Sequence, residues 1–127
     1  MDELSNLMNV VESDEFDVRF GVISSYDGFI RHIKESYEFT KLVNLMLTDR
    51  WTRSIIRNRI FEIFNKSIDK EFENSLDTSI CVYLLVLEET GQDITMELNV
   101  IDKIPNLHWA RKLGGELKKS ENTEFKN

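Results

Sequence analysis

From the N-terminus onward, apolar residues in this chain recur mostly at helical spacing. In LSNLMNVVE (4–12), Leu4, Leu7, Met8 and Val11 stand at i, i+3, i+4 and i+7, one face of a helix. The period continues through SSYDGFIRHIKESYEFTKLVNLMLT (24–48) with Phe29, Ile33, Tyr37, Val43, Leu45, Met46 and Leu47. Ser25 suits the N-cap of that stretch, because its hydroxyl can accept from a first-turn N–H that has no partner within the helix. A bend is expected near Phe39–Thr40, and Thr48 or Asp49 then caps a helix over about 50–67.

FDVRFGVIS is ambiguous. Phe16, Val18, Phe20 and Val22 alternate with Asp17, Arg19 and Gly21, which is the strand period, whereas Phe16, Phe20 and Ile23 fit a helix. Helical or irregular backbone is favoured, since no second clear strand exists to pair with it and an unpaired strand leaves N–H and C=O groups unsatisfied.

Beyond a polar connector (66–77) anchored by Phe72 and Leu76 comes the longest apolar run, ICVYLLVL (80–87). Asp77 or Thr78 in front, a Glu-Glu-Thr exit and Gly91 at the end favour a buried helix over a buried strand. Asp93 is expected to cap a helix over 94–104 with Ile94, Leu98 and Ile101 on one face. Pro105 stops it and opens PNLHWARKLGGELKK, where Leu107, Trp109, Ala110 and Leu113 are apolar and Gly114–Gly115 should fray the helix. The expected architecture is all-α: a single compact helical bundle of about five to seven helices over 1–119, followed by a flexible C-terminal tail, 120–127.

Composition supports this. A chain of 127 residues can bury one core unaided, and one proline with five glycines is too few for the many turns of a sandwich or barrel. The lone cysteine, Cys81, lies inside the apolar run and reads as a small buried hydrophobe. No apolar stretch approaches the roughly twenty residues of a membrane-spanning helix, and the acidic N-terminus is unlike a secretory signal. A soluble, cytoplasmic protein is expected.

Charge changes the picture. The net charge is −7, yet it divides into −6 over residues 1–49, +4 over 50–66 and −5 over 67–127. The basic island is DRWTRSIIRNRIFEIFNK (49–66). On a helical wheel Ile56, Ile60 and Ile63 share one arc, extended by Phe61 and Phe64, while Trp51 and Ile55 lie almost opposite. Apolar groups on both sides are expected of a central helix with neighbours on two flanks. Arg50, Arg53 and Arg57 form one stripe, Arg59 and Lys66 another. With acids abundant in both flanking segments, pairing of these arginines within the chain or with a partner is the first reading. The alternative is a nucleic-acid or phosphate contact module using the 50–66 helix, which the surrounding acidity disfavours.

Catalytic and metal chemistry lack support. His32 and His108 are 76 positions apart with no cysteine pair, so no zinc site is expected; no Walker or dinucleotide pattern is present, and no cofactor is expected. Cys81 has no local nucleophile signature. Trp51 and Trp109 are the aromatic residues to watch for binding, Trp109 as either a core lid or an interface anchor beside Arg111 and Lys112.

The expected function is that of a small, acidic, non-catalytic protein-interaction domain. It would act as an adaptor, a regulatory subunit or a neutralising protein of the immunity, antitoxin or inhibitor type, on a larger and possibly basic partner. The Asn-, Lys- and Ile-rich composition suits an AT-rich bacterial or phage genome and a defence-related system. The candidate partner-binding residues are Arg50, Arg53, Arg57, Arg59, Trp109, Arg111 and Lys112.

Overall fold

Short polar side chains set where the first four helices begin. A computed structural model of the chain describes the backbone of residues 2–68, 75–104 and 107–125, with eight α-helices and no strand among the described residues. In α1 (Glu3–Val11) the Asp2 carboxylate accepts the Ser5 N–H at 2.7 Å. In α2 (Asp14–Gly21), α3 (Tyr26–Glu35) and α4 (Tyr37–Thr48) the caps are Ser13, Ser25 and Ser36, whose hydroxyls accept from Phe16, Gly28 and Phe39 N–H at 3.1–3.2 Å. Each such cap is worth about 1 kcal/mol.

One expectation is corrected here. The chain turns at Ser36 rather than bending near Phe39–Thr40, because Ser36 closes α3 by donating to the Ile33 carbonyl (2.7 Å) while its backbone, at ψ 151°, opens α4. Residues 14–21 are helical, which resolves the ambiguous stretch: Phe16 and Phe20 are buried whereas Val18 and Val22 are exposed, so the period is that of a helix. These two features, α2 and the α3–α4 break, carry the helix number past the expected five to seven.

The Asp49 carboxylate accepts the Trp51 N–H (3.0 Å) at the start of α5 (Arg50–Ile68). The next helix, α6 (Ser75–Glu89), is the inner rod of the bundle: every residue from Leu76 to Leu87 is buried, and α1, α2, α4, α5 and α8 all pack against it. A helix that is apolar all round can only be satisfied by neighbours on every side. The central position expected for the cationic helix therefore belongs to α6. Gly91, at φ 76°, ends α6 as expected; the Gln92 N–H reaches the Leu87 carbonyl and the Gly91 N–H the Glu88 carbonyl, the paired bonds of a left-handed helix terminus.

Helix α7 (Thr95–Ile101) is shorter than its periodicity suggests, and α8 runs His108–Phe125. The expected cap is displaced by one residue: Ile94 holds the N-cap position, and the Asp93 carboxylate accepts the Thr95 N–H (3.0 Å) from the residue before it. Rather than fraying α8, Gly114 lets α7 close on it: a Cβ there would come 2.8 Å from Ile101 Cγ2. The α8 backbone remains helical through 120–125, part of the segment read as a tail. Phe72 and Pro105 lie outside the described residues.

Asp77 does not cap its own helix, which begins at Ser75. It caps α8 from across the bundle: its two oxygens accept the Trp109 N–H (2.9 Å) and the Ala110 N–H (3.0 Å). Burial pushes the Asp77 carboxyl above its ordinary value, against the pull of those two N–H groups. Thr78 alongside donates to Asp17 on α2 (2.6 Å).

Candidate functional surface

The basic helix divides lengthwise. Its inner face, Thr52, Ile56, Ile60, Ile63 and Phe64, is buried. Its second half is neutralised by the chain's own acids. Arg57 donates to the carboxylate of the fully buried Glu97 (3.0 Å) and to the Asp93 carbonyl. The Arg59 Nε–H contacts both oxygens of Glu12 (2.9 and 3.1 Å), a terminal N–H adds a further bond to Glu12, and the other terminal nitrogen donates to Glu62 (2.9 Å). Those bonds raise the Arg59 pKa further and keep it charged at any accessible pH.

The first two turns differ. Arg50 and Arg53 are exposed, and among the described residues neither has a carboxylate within ion-pair distance. Arg50 lies over the Trp51 ring, 5.1 Å from its centre, and Arg53 donates to the neutral amide oxygen of Gln92 (3.1 Å). Away from Arg53 the helix presents Trp51, 63% exposed, and Ile55, 46% exposed, one turn apart on one face; Leu47 in the last turn of α4 is 69% exposed. Trp51 and Ile55 are thus exposed apolar side chains on a helix whose other face is fully packed. Arg and Trp are also the residue types that dominate interface energetics.

The second group of predicted residues sits on α8. Trp109 is half-buried, stacked on Phe29 (4.9 Å between centres, 18° between planes) and farther off on Tyr26 (6.2 Å). It is a lid on the core. Lys112 lies over the outer Tyr26 ring (5.0 Å) and Arg111 is exposed. Burial, the largest cause, pushes the Tyr26 hydroxyl up to about 12, with the nearby Glu116 and Asp27 carboxylates adding to it. A cavity of about 240 Å³ opens beside Trp109, with Asp17, Asp77, Thr78 and His108 in its wall. Its carboxylates are already engaged, Asp17 by Thr78 and Asp77 by the start of α8.

Among the described residues no cluster of three or more histidines, cysteines or acids is placed to hold a metal. Cys81 is buried, with its thiol pKa pushed well up by that burial, and it lines neither described cavity. His32 sits with Nδ1 2.8 Å from the Gly28 carbonyl one turn back, a local tie within α3. No described helix is long and apolar enough to cross a membrane.

Sequence reasoning singled out Trp51 but missed Leu47 and Ile55 as surface, having assigned them to apolar faces. The available signal was the wheel itself, which set Trp51 and Ile55 opposite the Ile56–Ile60–Ile63 arc. No protein-family model matches this chain, and neither a curated protein nor a solved structure matches it.

Proposed function

We propose that this chain is a non-catalytic, cytoplasmic interaction domain that binds a larger protein through the first two turns of α5, as an adaptor, regulatory subunit or neutralising protein. The observation that carries this reading is the exposed Trp51–Ile55 pair, with the Arg50 guanidinium over the Trp51 ring. Conversion of Arg57 and Arg59 to internal ties supports it too, because it removes two of the helix's four arginines from the contacts a polyanion would need. What remains suits a compact protein contact with an aromatic anchor at its centre. The acidic remainder of the surface would steer approach of a basic partner over a longer range.

The test is differential capture. The tagged full chain and a Trp51→Ala/Ile55→Ser variant serve as baits in host cells, with mass spectrometry of what each retains. A protein held by the natural chain and lost by the folded variant supports the reading. Capture that is indifferent to this pair, or that instead fails on Arg111→Glu/Lys112→Glu, overturns it.

A further inference from the structure

We infer that the cavity beside Trp109 binds a guanidinium group, carried by an arginine side chain of a partner or by a small free guanidine. The cavity opens where α2, α3, α6 and α8 meet, and no residue of α5 lines it, so it is separate from the Trp51–Ile55 surface. Its volume of about 240 Å³ exceeds the roughly 150 Å³ that holds a benzene ring. Phe29 and Trp109 supply aromatic wall, and Asp17 and Asp77 supply carboxylates from two different helices. The polar part of the wall is built into the fold: Asp77 is 7% exposed and Thr78 4%.

The two acids lack a counter-ion. Asp17 accepts from the Thr78 hydroxyl and Asp77 from two backbone N–H groups, all neutral donors. Among the described residues neither acid forms an ion pair. Arg19, two residues after Asp17, is turned to Glu38, and Lys112 lies over the Tyr26 ring, which leaves His108 as the basic member of the wall. Burial is the main cause of the raised Asp77 pKa, and the charge of Asp17 adds to it. Like charges held together in a partly dry cavity repel, and a cation entering between them relieves both. A guanidinium suits this wall best: it is planar and weakly hydrated, lies against aromatic rings, and has enough N–H donors to reach two acceptors at once. A metal ion would need more oxygen ligands than two carboxylates already accepting hydrogen bonds, and would gain little from the rings. An anion meets two acids, and the N–H groups that could hold it at the start of α8 are taken by Asp77.

The probes are N-acetyl-arginine amide, agmatine, N-acetyl-lysine amide and the uncharged N-acetyl-citrulline amide. Each is titrated at low salt into the isotope-labelled full chain, following the Trp109 indole and the Gly21 and Thr78 backbone signals by NMR. Saturable binding of the guanidinium compounds, centred on those signals, is expected. Affinity should fall about tenfold or more for the citrulline compound and in Asp17→Asn, whose amide oxygen still accepts from Thr78. Binding should be lost in Gly21→Leu, because a Cβ at Gly21 meets no atom within 4 Å and the added side chain fills the cavity rather than disturbing the packing. Tighter binding of the arginine amide than of agmatine supports a partner's side chain as the source; the reverse order supports a free guanidine. Equal affinity for the lysine amide overturns the guanidinium in favour of any ammonium group. Titrations that do not saturate, signals that move elsewhere, or affinities unchanged in both variants overturn the site.

Discussion

Arg59 in α5 and Glu12 just past the end of α1 stand 47 residues apart and are joined by a two-oxygen contact, with the Glu12 Oε2 also accepting the Tyr83 hydroxyl at 2.6 Å. One carboxylate thus ties α1, α5 and the inner rod α6 together. Burial beside that carboxylate drives the Tyr83 hydroxyl pKa far up, so it stays protonated and donating.

Replacing Glu12 with alanine leaves the part-buried Arg59 guanidinium with Glu62 alone and a fully buried phenol without its acceptor. A loss of about 3–4 kcal/mol in urea unfolding is expected. Tyr83→Phe removes one bond only and should cost about 1 kcal/mol. Equal losses in the two variants would show that Glu12 does not hold the three helices as described.

The Arg57–Glu97 pair should show strong coupling. Glu97 is fully buried, one of its oxygens and the Arg57 Nε have no hydrogen-bond partner among the described residues, and removing Arg57 takes away the partner of a carboxylate in the core. Arg57→Ala should therefore cost about 3–5 kcal/mol, whereas Arg57→Met combined with Glu97→Leu should be near neutral. A double-mutant cycle in denaturant measures this; simple additivity would count against it.

Exposed and buried apolar residues on the same helix should part company. Trp51→Ala and Ile55→Ser should leave unfolding free energy within about 0.5 kcal/mol. Ile60→Ala, fully buried on the inner face of α5, should cost about 2–5 kcal/mol. Comparable losses at Trp51 and Ile60 would mean that Trp51 serves the fold.

Acid dependence carries two opposite contributions. Hydrogen bonds from Arg19 hold the Glu38 carboxyl below its usual range. Its stabilisation is complete above the unfolded-chain value of about 4.3 and is lost as pH falls through the lower native value. For Asp77, raised by burial, the native state keeps its proton more readily than the unfolded chain does. Its contribution therefore weakens as pH rises from about 3.9 through the native value. Urea midpoints between pH 3 and pH 6 should rise less steeply in Glu38→Gln and more steeply in Asp77→Asn than in the natural protein.

The Cys81 thiol should react with a disulfide reagent only as the chain unfolds, since burial both hides it and disfavours its thiolate. Labelling that tracks the denaturant transition fits this; fast labelling of the folded protein does not.

Local features of the chain were legible without coordinates: the α1 face, Ser25 and Asp49 as caps, the Gly91 terminus and the buried apolar run are all set by residues within a few positions of one another. Short-range spacing also marked Trp51 and Ile55 as opposite the core arc. Three matters depended on which helix lies beside which. Asp77 looks like a cap for the residues that follow it, yet it serves α8, because the free N–H groups of a helix accept any acceptor that packing brings near. Gly114 looks like a break, yet it is where α7 and α8 close up. The four arginines are chemically alike in sequence, and only the arrival of Glu12 from α1 and Glu97 from α7 separates the paired from the unpaired. Periodicity and capping act over one or two turns, whereas the partner of a charge is chosen by tertiary packing across dozens of residues.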